Sequence, residues 1–328
     1  MPSAAKKVKW GILAPGHIAK KFANDLLTVE SAELHAVASR TLEKAMDFKD
    51  AYHGKVAYGD YEELMKDPNV DAIYIANPHA FHKEYTIACL QHKKPVLCEK
   101  PLALNSSDVE EMLQTAKKKD VLLMEALWTY FLPHYTYVLG FLKEGSFGKV
   151  LSLEADFGFQ PEYDENSRLF NKKLGGGSLL DIGIYPIFAA LTILGKPKSI
   201  DAEGTFFKTG ADSSCDMLFE YPNNVKAKLR STLLEKTPTE AFIECEHGTI
   251  KLHTQFHKPT KVTFIDSKGN EMVKDFTTTT NGYNFEASHF SELVRQNKKE
   301  SPVMTHDFSR LLINTMDEVK KQIGLRYD

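Results

Sequence analysis

The chain has 328 residues, enough for two average domains, and its 42% hydrophobic and 26% charged residues match an ordinary soluble globular protein. A formal net charge of −3, with basic residues in short scattered clusters such as Lys6-Lys7, Lys117 to Lys119 and Lys172-Lys173, excludes the basic stripe of a nucleic-acid binder. No run of about 18 consecutive apolar residues marks a membrane span. The opening MPSAAKKVKW lacks an apolar leader core, and the four cysteines share no CxxC spacing, so the expectation is a cytoplasmic protein without membrane association.

The first 125 residues alternate between two hydrophobic periods. Val8 to Ala14 is a continuous apolar run, as in a strand buried on both faces, and Ile18, Phe22 and Leu26 then recur at helical spacing. The pattern repeats with strands at Leu34 to Ala38, Asp71 to Ala76, Pro95 to Cys98 and Val121 to Met124. Helices are predicted over Thr41 to Tyr52, Ala80 to Gln91 and Asp108 to Lys119. Such alternation predicts parallel strands with crossover helices, that is, an α/β fold with a doubly wound Rossmann sheet over residues 1–126. After Trp128 the rhythm changes. A helix around Tyr135 to Lys143 precedes period-2 alternation, and turn signals such as Tyr221-Pro222-Asn223-Asn224 and Lys268-Gly269-Asn270 separate the extended segments. Residues 127–328 therefore read as an α+β domain with an open, mainly antiparallel sheet, closed by C-terminal helices.

The loop after the first strand carries Ala14, Pro15, Gly16, His17 and Ile18. A dinucleotide needs a tight turn there, a small residue where backbone meets pyrophosphate, and a free helix N-terminus. Gly16 fills the close-approach position, whereas Ala14 stands where the usual fingerprint has its first glycine. At the second strand end, Ser39-Arg40 replaces the carboxylate that would bind an NAD ribose, and the Arg40 fork suits a phosphate. NADP(H) is the expected cofactor, with NAD(H) possible. Ligands of doubly wound sheets bind beyond the carboxyl ends of the strands. That edge also carries Asn77, Pro78, His79 and His82, then Glu99-Lys100-Pro101, and Glu125 to Trp128. All of these are candidate cofactor-side residues. Pro101 keeps Lys100 out of helical geometry at the mouth of the cleft, where it can donate to a substrate oxygen or favour ionisation of a nearby acid. His79 and His82 lack a Cys or carboxylate at ligand spacing, so no metal is expected.

The run Glu99-Lys100-Pro101, the segment Asn77-Pro78-His79 with His82, and Leu174 to Pro186 (LGGGSLLDIGIYP) resemble the signatures of the glucose–fructose oxidoreductase/inositol dehydrogenase (Gfo/Idh/MocA) family along nearly the whole chain. The resemblance is strongest to its branch acting on dihydrodiols and sugars. It implies an NAD(P)-dependent oxidoreductase of a small polyhydroxylated substrate, with Lys100 essential, Tyr185 as acid/base and a homodimer formed through the open face of the C-terminal sheet. The residues make chemical sense on that footing. Gly175 to Gly177 reads as a flexible lead-in, with Ser178 as a helix cap; Asp181 and Tyr185 lie four apart on one helix face. Asp181 is expected to orient the substrate through a second hydroxyl. Arg168 reads equally as a cofactor or substrate ligand and as a loop salt bridge. Two alternatives stay open: a non-catalytic dinucleotide sensor, and an enzyme that uses tightly bound nucleotide transiently for elimination or epimerisation.

Overall fold

The structure is a computed structural model describing residues 6–327, so the opening residues read above lie partly outside it. In chain order the elements are β1 (Val8–Leu13), α1 (His17–Leu26), β2 (Ala32–Ala38), α2 (Leu42–Ala51), β3 (Val56–Tyr58), α3 (Tyr61–Lys66), β4 (Ala72–Ile75), α4 (His82–Gln91), β5 (Val96–Glu99), α5 (Ser106–Lys119) and β6 (Leu123–Ala126). These are followed by α6 (Pro133–Glu144), β7 (Val150–Gly158), α7 (Ile184–Leu194), β8 (Ser199–Phe206), β9 (Asp212–Glu220) and β10 (Lys226–Thr232). The chain continues through β11 (Ala241–Cys245), β12 (Gly248–Leu252), β13 (Lys261–Asp266), β14 (Glu271–Asp275), α8 (Tyr283–Arg295) and α9 (His306–Ile323).

Two compact units emerge: the residues up to Trp128 with Thr279–Arg310, and Thr129–Thr278 with Leu311 onward. The first holds a wholly parallel six-stranded sheet in the order β3-β2-β1-β4-β5-β6. Its strands consist largely of buried apolar residues, with exceptions such as Lys9, Glu33 and His35, as expected where crossover helices cover both faces. A single cut after residue 126 would place 279–310 in the second unit, but α8 returns to the first for identifiable reasons. Trp10, fully buried, donates its indole N–H to Ser291 Oγ at 3.1 Å, and its ring lies between Phe22 and Phe290 at 5.4 and 5.2 Å. Asp25, 2% exposed, accepts the backbone N–H groups of Asn281, Gly282 and Tyr283 at 2.8–3.0 Å and so satisfies the open N-terminus of α8. Replacing such a buried aromatic by alanine costs about 3–5 kcal/mol, so this anchorage decides where α8 packs.

The second unit is built on an eight-stranded sheet in the order β14-β13-β12-β11-β7-β10-β9-β8, antiparallel except for the β7–β10 pair. The mainly antiparallel expectation holds, and the β7–β10 exception follows from the long connection through α7. Leu153, Ala155, Ala227, Leu229, Met217 and Phe219 line its buried face. The stretch Lys172–Leu194 reaches a mean hydropathy of 1.7 over an 18-residue window, enough to cross a membrane by composition, yet 83% of that window is buried in the protein. It packs as a core helix against β7 and β10.

Candidate active site

In the first unit, parallel strands place every predicted cofactor-side segment on one edge. Ala14 takes a left-handed backbone (φ 66°), the conformation that a glycine adopts freely, so the expected tight turn forms with an alanine in it. Gly16 is the N-cap of α1 and supplies no side-chain cap, leaving the first N–H groups of the helix available. A Cβ there would meet no atom closer than 4.0 Å, so packing within the protein does not require glycine; a ligand lying on the helix end would. Pro15 and Ile18 are part-buried and His17 is exposed beside it. Past β2, Ser39 is buried and Arg40 exposed. Tyr61 and Tyr85, in edge contact at 4.9 Å, both lie within electrostatic reach of Arg40. Neither tyrosine was signalled by a motif.

After β4, Asn77 is 9% exposed, and neither its amide nitrogen nor its amide oxygen has a partner among the described residues. A buried amide left open at both ends is costly, and a ligand that closes it gains what the protein lacks. Its backbone serves a different purpose. His82, fully buried, sets Nε2 2.9 Å from the Asn77 carbonyl oxygen and Nδ1 2.8 Å from that of Pro101. His82 thus ties two strand-end loops together rather than reaching past them, while His79 follows Pro78 in a short 3₁₀ turn and meets the His82 ring at 5.5 Å.

Lys100 precedes Pro101 through a cis peptide bond and is part-buried. Glu99 braces it: Oε2 accepts the Lys100 N–H at 3.2 Å and Oε1 accepts the Tyr74 hydroxyl. Glu125, 3% exposed, accepts the Leu102 N–H at 2.9 Å and the Ser309 hydroxyl at 2.7 Å, fixing the chain just beyond the cis bond. Burial pushes its carboxyl up to about 7, against the pull of those two donors and of Lys100. Trp128 is buried with its ring stacked on Tyr283 at 4.3 Å.

In the second unit the glycine run is tightly packed, contrary to the flexible lead-in expected. A Cβ on Gly176 would lie 2.6–2.9 Å from the carbonyl oxygens of Arg168, Leu169 and Asn171, and one on Gly177 (φ 131°) would lie 2.0 Å from Asp212 Oδ1. Ser178 does not cap the helix either. It is already helical and donates its hydroxyl to Asp212 Oδ2 at 2.6 Å, while the Leu179 N–H donates to the same oxygen at 2.7 Å. The capping carboxylate therefore comes from β9, and burial pushes it up to about 6. The helix begins as a π-helix over Leu179–Gly183 before α7. Asp181, 7% exposed, accepts Arg168 at 2.6 Å, so Arg168 forms the ion pair rather than standing clear of the protein.

Tyr185 is 6% exposed, with its ring 4.9 Å from that of His257 and 5.7 Å from that of Phe157; His257 and Phe157 stack at 4.3 Å. His257 is a neighbour of Tyr185 that sequence reasoning missed, since it sits in an aperiodic loop between β12 and β13. That loop is held from behind. Thr129 Oγ1 donates to the His257 carbonyl at 2.9 Å, and His134 Nε2 lies 2.8 Å from the Phe256 carbonyl. Burial lowers His134 to about 4, keeping that ring neutral at physiological pH.

The chain matches the model of an oxidoreductase family with an NAD-binding Rossmann fold over residues 8–127 and the GFO/IDH/MocA C-terminal domain over 135–251. It is 37% identical over 331 residues to the trans-1,2-dihydrobenzene-1,2-diol dehydrogenase of Xenopus tropicalis, covering 97% of this chain and 99% of that one. With the human protein of the same name it shares 33% over 330 residues, covering 98% of each. Among solved structures it resembles the aldose-aldose oxidoreductase of Caulobacter crescentus complexed with glycerol (TM-score 0.88, 22% identity, 97% and 98% covered). A levoglucosan dehydrogenase in complex with NADH and levoglucosan has a TM-score of 0.86 at 17% identity, with 97% and 98% covered; these two establish likeness of fold.

Proposed function

Because the chain belongs to the Gfo/Idh/MocA oxidoreductase family, we propose that it oxidises a secondary alcohol of a trans-dihydrodiol or sugar, or reduces the matching carbonyl, with NADP(H) preferred. The observation that carries this reading is Asn77: a buried amide without a partner among the described residues, on the strand edge that also carries Gly16 and the uncapped N-terminus of α1. When bound, the nicotinamide accepts or supplies the hydride. Gly16 and the first N–H groups of α1 would hold the pyrophosphate, Asn77 the nearer ribose or amide, and Ser39 with Arg40 the adenosine phosphate.

In oxidation, the Tyr185 phenolate takes the substrate's hydroxyl proton; in reduction the Tyr185 phenol gives its proton to the carbonyl oxygen. An unaided phenol ionises near pH 10, so it needs a cation to work at neutral pH, and Lys100 is assigned that role together with a hydrogen bond to the reacting oxygen. Asp181, set in place by Arg168, accepts from a second substrate hydroxyl. Phe157 and His257, flanking Tyr185, present flat faces to the apolar side of a ring.

The outward face of the eight-stranded sheet carries exposed Phe242 among paired charges such as Lys228–Glu154 and Arg230–Asp216. The reading takes this face as the contact between two copies of the chain; sedimentation as a monomer at micromolar concentration would refute it. A cytoplasmic setting fits four buried free cysteines. The mechanism is tested by Tyr185→Phe and Lys100→Met. Each should lower kcat by about 10²-fold or more while NADP⁺ binding stays within a few-fold. Near-normal turnover in either variant refutes the assignment.

A further inference from the structure

We propose that Tyr327, in the segment following α9, is a positioning residue for the helix that carries Asp181 and Tyr185. The inference rests on the reading of Tyr185 as acid/base. Its basis is a chain of contacts within the second unit. Helix α9 stops at Ile323 because Gly324 turns left-handed (φ 75°); Gly324 N–H donates to the Lys321 carbonyl at 3.3 Å and Leu325 N–H to that of Lys320 at 2.9 Å. That reversal is the paired 5→2 and 6→1 stop of a helix C-terminus, and it buries Leu325 and turns the chain back. Tyr327 then donates its hydroxyl to the Gly176 carbonyl oxygen at 2.8 Å.

Gly176 is where the catalytic helix is hung. Its own position is closed by three carbonyl oxygens, and its neighbour Gly177 is pressed on Asp212, the carboxyl that caps Leu179. Tyr327 also lies within electrostatic reach of both Asp212 and Asp181, and burial beside those two acids keeps its phenol protonated as the donor. The hydroxyl therefore bears on the turn at one remove from Asp181. Lys320 Nζ stands 5.7 Å from the Tyr327 ring and pairs with Asp317 at 2.7 Å, which fixes the ring from the helix side. A misplacement of about 1 Å at a reacting group can cost up to about 10²-fold in rate, so a tether of this kind is worth measurable turnover.

The test is Tyr327→Phe, which keeps the ring and removes the hydroxyl, made in the full chain with and without Asp181→Asn. Amide hydrogen exchange over residues 175–181 should quicken severalfold, and kcat should fall about tenfold with NADP⁺ affinity unchanged within twofold. The double variant should lose less than the product of the two single losses, because the part of the tether's effect that runs through Asp181 is already gone. Unchanged exchange, wild-type kcat, or fully multiplicative losses in the double variant would overturn the proposal. Exchange needs no turnover, so it judges the tether separately; an active Tyr185→Phe would instead sink the assignment of the acid/base.

Discussion

Glu125→Gln should make the protein more stable above about pH 4.5, with the full gain reached once the pH passes about 7. The carboxyl ordinarily titrates near 4.5 and is pushed up to about 7 by burial in the folded chain. At about 1.4 kcal/mol for each tenfold in proton affinity, that difference amounts to about 3 kcal/mol. The folded state binds this proton more tightly than the unfolded state. The contribution is therefore fully present below about pH 4.5 and lost as pH rises through about 7. Glutamine keeps the geometry, with its oxygen accepting from Leu102 N–H and its amide donating to Ser309 Oγ, so it removes the charge without orphaning a partner. Thermal unfolding of both proteins should coincide at pH 4.5 and separate progressively above it, with the variant melting several degrees higher at pH 8.5. A variant that melts lower at pH 8.5, or differs equally at both ends, would show that Glu125 is stabilised as a carboxylate and that the burial argument is wrong.

Other outcomes follow from single residues. Asn77→Ala removes an unpartnered buried amide, so the ligand-free protein should gain about 1 kcal/mol in denaturant unfolding while dinucleotide affinity, by titration, falls about tenfold. Ala14→Gly relieves a left-handed alanine and should raise stability by about 0.5–1 kcal/mol, again read by denaturant unfolding. Gly177→Ala sets a Cβ 2.0 Å from Asp212 at a φ that disfavours side chains, and should cost about 3 kcal/mol or more with turnover lost. Arg40→Ala should lower the NADP⁺ over NAD⁺ ratio of kcat/KM by about thirtyfold, the worth of a charge-assisted hydrogen bond of about 2 kcal/mol.

The parallel sheet was legible because most of its strands are predominantly apolar runs between helical repeats, and the shared carboxyl edge followed from that alternation. β3 and α3 escaped notice: three and six residues are too few to display a period. The return of α8 was hidden because it depends on Trp10 and Asp25, 281 and 258 residues before their partners Ser291 and Tyr283, and no local pattern announces a distant anchor. Around the site, the motif residues were found where the strand edge or the glycine run marked them. Their partners were not. Asp212 caps the helix that carries Tyr185 from another strand, and His257 flanks Tyr185 from an irregular loop, so each is visible only once the chain is folded. The glycines themselves were read as flexible when the close approach of carbonyl oxygens and Asp212 is what demands them.

The central claim is that this chain moves hydride between a nicotinamide and a carbon bearing a hydroxyl. Its most direct test mixes purified wild-type protein, stripped of bound nucleotide, with NADP⁺ or NAD⁺ and a panel of trans-dihydrodiols, aldoses and inositols, following reduced-nicotinamide absorbance. Net reduction with at least one diol or sugar, faster with NADP⁺ than with NAD⁺, is the predicted result. Tight nucleotide binding with no net reduction across the panel in either direction would contradict it, and would point to a sensor or to a nucleotide used only transiently.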